Sequence, residues 1–224
     1  SRVIDNSEPK YMNTTETITY SKRRILYGLN LAKKTKRPNI ILCEGNLDVV
    51  TLHQAGFDNA VASMGTALTV EQTRLLSRFT KELVLCYDND NAGQLATQRA
   101  LELLNNSEFS VKVLKLPNRM VDGHPTKQDA DDFIKNYGPA AFENLLSGSE
   151  NGVEFRMTQI AARYDLTSDE GRIGYAGEMA EELCRLENAV ERDVYTNRAA
   201  QTAGLSPEAM KLEVQRSFKR RIAR

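Results

Sequence analysis

The chain has 224 residues, of which 41% are hydrophobic and 27% charged, a balance that fits one large core or two small ones and excludes a disordered tract. Thirty Lys and Arg offset thirty Asp and Glu, so net charge alone gives no reason to expect a nucleic-acid or membrane partner. No apolar run approaches the roughly 20 residues that span a bilayer, and the opening Ser1-Arg2-Val3-Ile4-Asp5 lacks the basic-then-apolar layout of a signal peptide, so the expected location is cytoplasmic.

Residues 1–20 lack helical periodicity and carry Thr14, Thr15, Thr17 and Thr19, which predicts loops and a short strand. The spacing then predicts a helix over 21–36, ended by Pro38, because the residue before a proline is pushed out of the helical region. An α/β alternation follows: strand 39–43, helix 46–55 stopped by Gly56, a short strand near 60–62, and helix 70–79 opened by Thr69 and Gln72 as a capping box. Strand 83–87, helix 92–104 and strand 110–116 continue the pattern. Strands separated by helices of this length predict a mostly parallel sheet flanked by helices.

Residues 117–127 mix Pro, Asn, Gly and His without apolar rhythm and read as a loop. Helices are predicted at 130–137 and 139–146, after which Ser147-Gly148-Ser149 marks a linker. Beyond it only helix signals appear, among them Thr167 with Glu170 as a second capping box and Ser206-Pro207 as a helix start. The chain therefore divides into a basic segment with its helix (1–38), an α/β domain (39–147) and a small all-α helical subdomain of three or four helices (150–224).

Cys43, Cys86 and Cys184 are odd in number, and the first two fall inside predicted strands, where a thiol acts as a small buried hydrophobe. Neither a disulfide framework nor a zinc knuckle is indicated. His53 and His124 have no partner at ligand spacing. Basic residues crowd both ends: Lys10, Lys22, Arg23, Arg24, Lys33, Lys34, Lys36 and Arg37 near the start, and Arg216, Lys219, Arg220, Arg221 and Arg224 near the finish. The second group reads as solvated residues complementing a helix dipole; for the first, phosphate contacts and solvated decoration both stay open.

Three acidic clusters carry the chemistry. Glu44 and Asp48 follow the apolar run 40–43, Asp88 and Asp90 follow 83–87, and Asp129 and Asp131 open a predicted helix. Ligands of parallel α/β sheets sit beyond the carboxyl ends of the strands, so acids ending two strands share one ledge. Taken singly each cluster has an ordinary reading, as a turn, an N-cap or a dipole-compensating first turn. A cap needs only one carboxylate, however, and several gathered together repel unless a cation relieves them. Hard oxygen donors of this kind suit Mg²⁺ or Mn²⁺.

Four segments together resemble the Toprim domain of DnaG-type bacterial primases. They are Glu44-Gly45-Asn46-Leu47-Asp48-Val49, Gly65-Thr66-Ala67-Leu68-Thr69, Tyr87-Asp88-Asn89-Asp90-Asn91-Ala92-Gly93 and Lys127-Gln128-Asp129-Ala130-Asp131-Asp132-Phe133. Upstream, Arg2-Val3, Pro9-Lys10-Tyr11-Met12-Asn13 and the stretch from Lys22 to Tyr27-Gly28 look like that family's basic, nucleotide-contacting segment. The chain departs from the pattern at Asn46, where an aromatic is usual, at Asn89, where Gly is usual, and at Ala130, where Pro is usual.

The resemblance implies a Toprim fold followed by the helical subdomain that completes a primase core. By the same resemblance Glu44, Asp48, Asp88, Asp90, Asp129 and Asp131 hold catalytic Mg²⁺ or Mn²⁺, with Glu44, Asp88 and Asp90 catalytic, and Arg2, Lys10, Asn13 and Lys22 contact nucleotide or nucleic acid. The implied activity is template-directed RNA primer synthesis from ribonucleoside triphosphates on single-stranded DNA. Zinc would belong to a domain outside this chain, as would the part that docks on the replicative helicase, and the fragment by itself is expected to make few primers. Rival readings within the same fold are a DNA-cleaving nuclease or topoisomerase, and a module that binds DNA without catalysis.

Overall fold

In the computed structural model the described residues are 16–18, 20–105, 107–121 and 124–223. Arg2, Lys10 and Asn13, and most of the 1–20 segment in which a short strand is expected, lie outside them. Two compact units meet between Gly152 and Val153.

The first unit is built on a six-stranded sheet. Its strands are β1 (Leu26–Tyr27), β2 (Asn39–Cys43), β3 (Ala60–Ser63), β4 (Glu82–Cys86), β5 (Ser110–Val113) and, numbered after a separate hairpin, β8 (Glu150–Asn151). The spatial order is β1-β3-β2-β4-β5-β8. The four central strands run parallel, and the short edge strands β1 and β8 run antiparallel. The α/β alternation predicts this parallel centre, and the same fold class is observed. Helices α2 (Asn46–Gln54), α3 (Val70–Leu76), α4 (Asn91–Leu104) and α5 (Ala130–Ser147) connect and follow the strands.

Both faces of the sheet are covered, as a parallel sheet requires. On one face Ile41, Cys43, Val84 and Cys86 pack with Val49 and Leu52 of α2, with Phe57, and with Phe133, Phe142 and Leu146 of α5. Phe57 and Phe142 meet edge to face, 4.8 Å between ring centroids. The alternate residues Ile40, Leu42, Leu83 and Leu85 are also buried. Helix α5 bends where Gly138 takes φ +80, so its two segments match the predicted pair.

The sequence expectation fails at residues 21–36, where no long helix forms. Instead Leu26 and Tyr27 pair with Ser63 and Ala62 of β3, and only α1 (Leu29–Ala32) is helical. Gly28 explains the break: its φ is +79, and a Cβ there would lie 2.7 Å from Val49 Cγ1 and 2.9 Å from the Ala60 carbonyl. Sheet pairing thus overrides the local apolar spacing. The expected loop at 117–127 likewise contains a hairpin, β6 (Arg119–Val121) with β7 (His124–Thr126), whose three-residue strands are too short to show a period.

The second unit contains α6 (Gly152–Ala161), α7 (Asp169–Leu183), α8 (Ala189–Ala203) and α9 (Pro207–Ile222). Tyr175, Met179 and Leu183 of α7 pack with Ala199, Ala200 and Ala203 of α8 and with Met210 and Val214 of α9. Small residues on α8 let the helices approach closely. Ser206 caps α9 with Pro207 in its first turn, as the sequence predicts. The cap of α7 is one residue later than predicted: Ser168 accepts from the Gly171 N–H, while the Thr167 hydroxyl donates to Asp165. No helix among the described residues is long and apolar enough to cross a membrane.

Phe142 is fully buried where α5 meets Phe57 and Phe133. Phe142→Ala is expected to cost about 3–5 kcal/mol through lost burial and the cavity left behind. Urea unfolding followed on the first unit measures this, and a loss below about 1 kcal/mol would contradict the packing described.

Candidate metal centre

Cys43 of β2 and Cys86 of β4 are register partners, so these strands end together and release Glu44 and Asp88 at the same sheet edge. Glu44 is exposed. Four residues on, Asp48 sits in the first turn of α2 and is only 6% exposed. Its Oδ2 accepts the Gly45 N–H at 3.0 Å, and its Oδ1 accepts the Asp131 N–H at 3.2 Å. One carboxylate therefore caps its own helix and ties the first acidic segment to the third.

Asp90 is the N-cap of α4 and accepts the Gly93 N–H at 2.7 Å. A Cβ on Gly93 would stand 2.0 Å from the Asp88 carbonyl oxygen, so the glycine lets the strand end and helix start close on each other. Asn89 turns aside and donates to the Leu116 carbonyl, which leaves its two acidic neighbours for the edge. Asp129 caps α5 through the Asp132 N–H at 2.7 Å. The ordinary capping reading is thus correct for Asp48, Asp90 and Asp129, yet it does not account for their convergence.

That convergence raises the pKa of two groups. The Asp88 carboxyl is pushed up from 3.8 to about 7, first by burial and then by the charges of Glu44, Asp48, Asp129 and Asp90. Asp48 is pushed up to about 6 by burial and the Asp129 charge, against the opposing pull of the Asp131 and Gly45 N–H groups. All three acidic segments therefore act on Asp88. Asp131 stands differently: it accepts from the Thr51 hydroxyl and from Lys135 Nζ, so its charge is already partnered. Its carboxylate lies within 4.8 Å of those of Asp129 and Asp132.

The sequence pattern does not mark Thr51 or Lys135 as site residues. The four-residue spacing of Asp131 and Lys135 signals an ion pair on a helix face, whereas nothing local links Thr51 to Asp131. Lys127, 4.0 Å from Asp90, lies inside a recognised segment but had no assigned role. The donor set of the centre is carboxylate oxygen throughout, and its mutual repulsion is what a divalent cation relieves. Among the described residues, the acids whose oxygens lie close enough together to hold one are Asp129, Asp131 and Asp132; Glu44, Asp48, Asp90 and Asp129 reach Asp88 through their charge.

Lys22 comes to the same edge by topology. Because β1 runs antiparallel to β3 and starts opposite Ser63, the chain just before it lies beyond the carboxyl ends of the central strands. Only β3 separates β1 from β2, about 10 Å at two strand spacings. The backbone of Lys22 to Arg24 thus runs at the sheet edge where the central strands end, with Arg23 3.8 Å from Glu71. The three cysteines are free and buried; Cys43 and Cys86 form the apolar floor beneath the acids.

Comparison with known proteins bears on this arrangement. A Toprim-like family model matches residues 41–134, one for the N-terminal domain of the DNA primase catalytic core matches 1–33, and one for the DnaB-helicase binding domain of primase matches 153–208. The last falls inside the helical tail, where the sequence reading placed no helicase contact. A DNA primase of Clostridium acetobutylicum is 37% identical over 210 residues, covering 93% of this chain and 34% of that protein. A DNA primase domain from Pseudomonas aeruginosa superposes with a TM-score of 0.74 at 30% identity, covering 96% of this chain and 66% of that one. A DnaG primase catalytic domain bound to ssDNA gives a TM-score of 0.73 at 29% identity, covering 93% and 65%. The chain thus spans about a third of the length of the curated relatives it matches.

The raised carboxyls fix a sign for pH dependence. The folded protein holds protons at Asp88 and Asp48 up to about 7 and about 6, whereas the ordinary value is 3.8. It therefore binds more protons than the unfolded chain across that window, and its stability falls as pH rises through it. The metal-free thermal midpoint is expected to drop between about pH 5 and about pH 8, and Mn²⁺ to restore it at the higher pH far more than at the lower. Asp88→Asn should flatten the pH profile and remove most of the Mn²⁺ effect. A midpoint indifferent to both pH and Mn²⁺ would contradict the electrostatics described.

Proposed function

The chain belongs to the DnaG-type primase family, and from that premise we propose that its acidic centre carries nucleotidyl transfer in RNA primer synthesis, with Mg²⁺ or Mn²⁺ as cofactor. The single observation that carries the reading is geometric: β2 and β4 end in register, which brings Glu44 and Asp88 to one edge, and Asp48 accepts the Asp131 N–H, which ties the third acidic segment to the first. In the reaction the primer 3′-hydroxyl gives up its proton to solvent, its oxygen bonds to the α-phosphorus of a ribonucleoside triphosphate, the bond from that phosphorus to the β-bridging oxygen breaks, and pyrophosphate leaves. Divalent cations supply charge neutralisation for the attacking and leaving oxygens when bound.

The protein's own side chains divide the work. Asp88 and Asp90, held by the β4 end and the α4 cap, and exposed Glu44 on the neighbouring strand end form the substrate-facing acids. Buried Asp48 orients the start of α5 through the Asp131 N–H, which sets Asp129 toward Asp88. Asp131, partnered by Thr51 and Lys135, serves better as a fastener of that helix than as a direct ligand. Lys22 at the basic end of the ledge supplies fixed positive charge for phosphates. Arg2, Lys10 and Asn13 join it by the family resemblance.

The partners follow from the same reading: single-stranded DNA as template, ribonucleoside triphosphates as substrate, and a replicative helicase. The DnaB-helicase binding model over residues 153–208 supports a helicase contact from the helical unit itself. The fragment alone, short of the rest of a primase, is read as metal-binding but weak in synthesis.

In a complete primase carrying this segment, Asp88→Ala or Asp90→Ala is expected to abolish ribonucleotide incorporation on a single-stranded template while leaving the fold intact. Circular dichroism and a parallel DNA-cleavage assay complete the measurement. Near-normal synthesis by either variant, or cleavage in its place by the parent protein, would refute the assignment.

A further inference from the structure

We infer that Gln72 is a positioning residue whose side-chain amide latches the basic segment 22–25 to the catalytic unit and so keeps Lys22 on the nucleotide-facing edge. The inference rests on the reading of Lys22 as a phosphate contact given above.

Gln72 lies in the first turn of α3 and its residue is 0% exposed. As a capping-box partner it needs only to accept: Oε1 takes the Thr69 N–H at 3.1 Å, and the Thr69 hydroxyl oxygen takes the Gln72 N–H at 3.1 Å. A glutamate would do that equally well. An amide, however, has two further N–H donors, and here Nε2 donates to the Lys22 and Ile25 carbonyls, both at 2.9 Å. The Thr69 hydroxyl adds a third tie by donating to the Arg23 carbonyl at 2.7 Å. Three of the four backbone carbonyls from Lys22 to Ile25 are therefore gripped by one helix cap.

The other ties are weaker or local. Strand β1 is only two residues long, the Lys22 N–H meets Glu16 at 3.2 Å and the Arg24 N–H meets the Ser21 carbonyl at 3.0 Å. Arg23 and Arg24 are exposed, and the Arg23–Glu71 contact at 3.8 Å joins two largely solvated side chains. Since β1 is the edge strand and enters from the carboxyl end of the sheet, two strands from β2 and three from β4, loosening the cap lets Lys22 swing away from the acidic centre. The donors that make the latch are those a cap does not use, so glutamine rather than glutamate at position 72 is the distinguishing choice.

The test uses the whole chain with Gln72→Met, which keeps the length but no donor, and the milder Gln72→Asn, which keeps the amide one methylene short. Hydrogen exchange of residues 20–27 should speed up in both variants, while Mn²⁺ affinity at the acidic centre stays within about twofold of the parent. Fluorescently labelled ATP with Mn²⁺ should bind about tenfold more weakly to Gln72→Met, the scale of one to two lost hydrogen bonds. The Lys22→Ala/Gln72→Met double variant should bind no more weakly than the worse single variant. Unchanged exchange at 20–27, additive losses, or normal ATP binding by Gln72→Met beside a defective Lys22→Ala overturns the latch. Normal ATP binding by Lys22→Ala overturns the phosphate role of Lys22, and the latch falls with it.

Discussion

Like charges brought to neighbouring strand ends repel, and in this protein the repulsion is held in place by the fold. The in-register ends of β2 and β4 commit Glu44 and Asp88 to one edge, and apolar burial below them is the energy that keeps the edge assembled. Asp48 shows how this is tolerated. It is buried, but both of its oxygens accept backbone N–H groups from two different segments, which offsets much of the cost of desolvating a carboxyl. For Asp88 burial and four neighbouring carboxylates all push the pKa the same way, upward.

Helix caps do double duty throughout the centre. Asp90, Asp129 and Thr69 each satisfy orphan N–H groups at a helix start, an ordinary local task worth about 1 kcal/mol apiece. Each also fixes something beyond its helix: the approach of Asp90 to Asp88, of Asp129 to Asp48, and of Thr69 to the basic segment. Gly93 permits the tight closure at the β4–α4 turn. Local capping chemistry thereby becomes the means of placing charges that are distant in the chain, and an acid can be both an N-cap and part of a cation-binding set.

Most of the sheet was legible because helices of ten or so residues between apolar runs admit few topologies. The acids of the first two clusters were legible for the same reason, since strand ends in a parallel sheet share an edge. Residues 21–36 misled because their apolar spacing is helical, whereas the deciding contacts are distant: Ser63 across the sheet and Gln72 in the next helix. Thr51 could not be read as a partner of Asp131 from spacing, because 80 residues separate them. The distinction between Asp129, which acts on Asp88, and Asp131, which is occupied by Thr51 and Lys135, emerges only from packing.

The central claim is that these acids form one cation-binding set whose focus is Asp88. A crystal of the protein soaked in Mn²⁺ and measured at the manganese absorption edge tests it directly. An anomalous peak is expected within coordination distance of Asp88 and of at least one carboxylate from another acidic segment, about 2.0–2.3 Å from their oxygens. A peak confined to the Asp129, Asp131 and Asp132 group, or none at the strand ends, would contradict it.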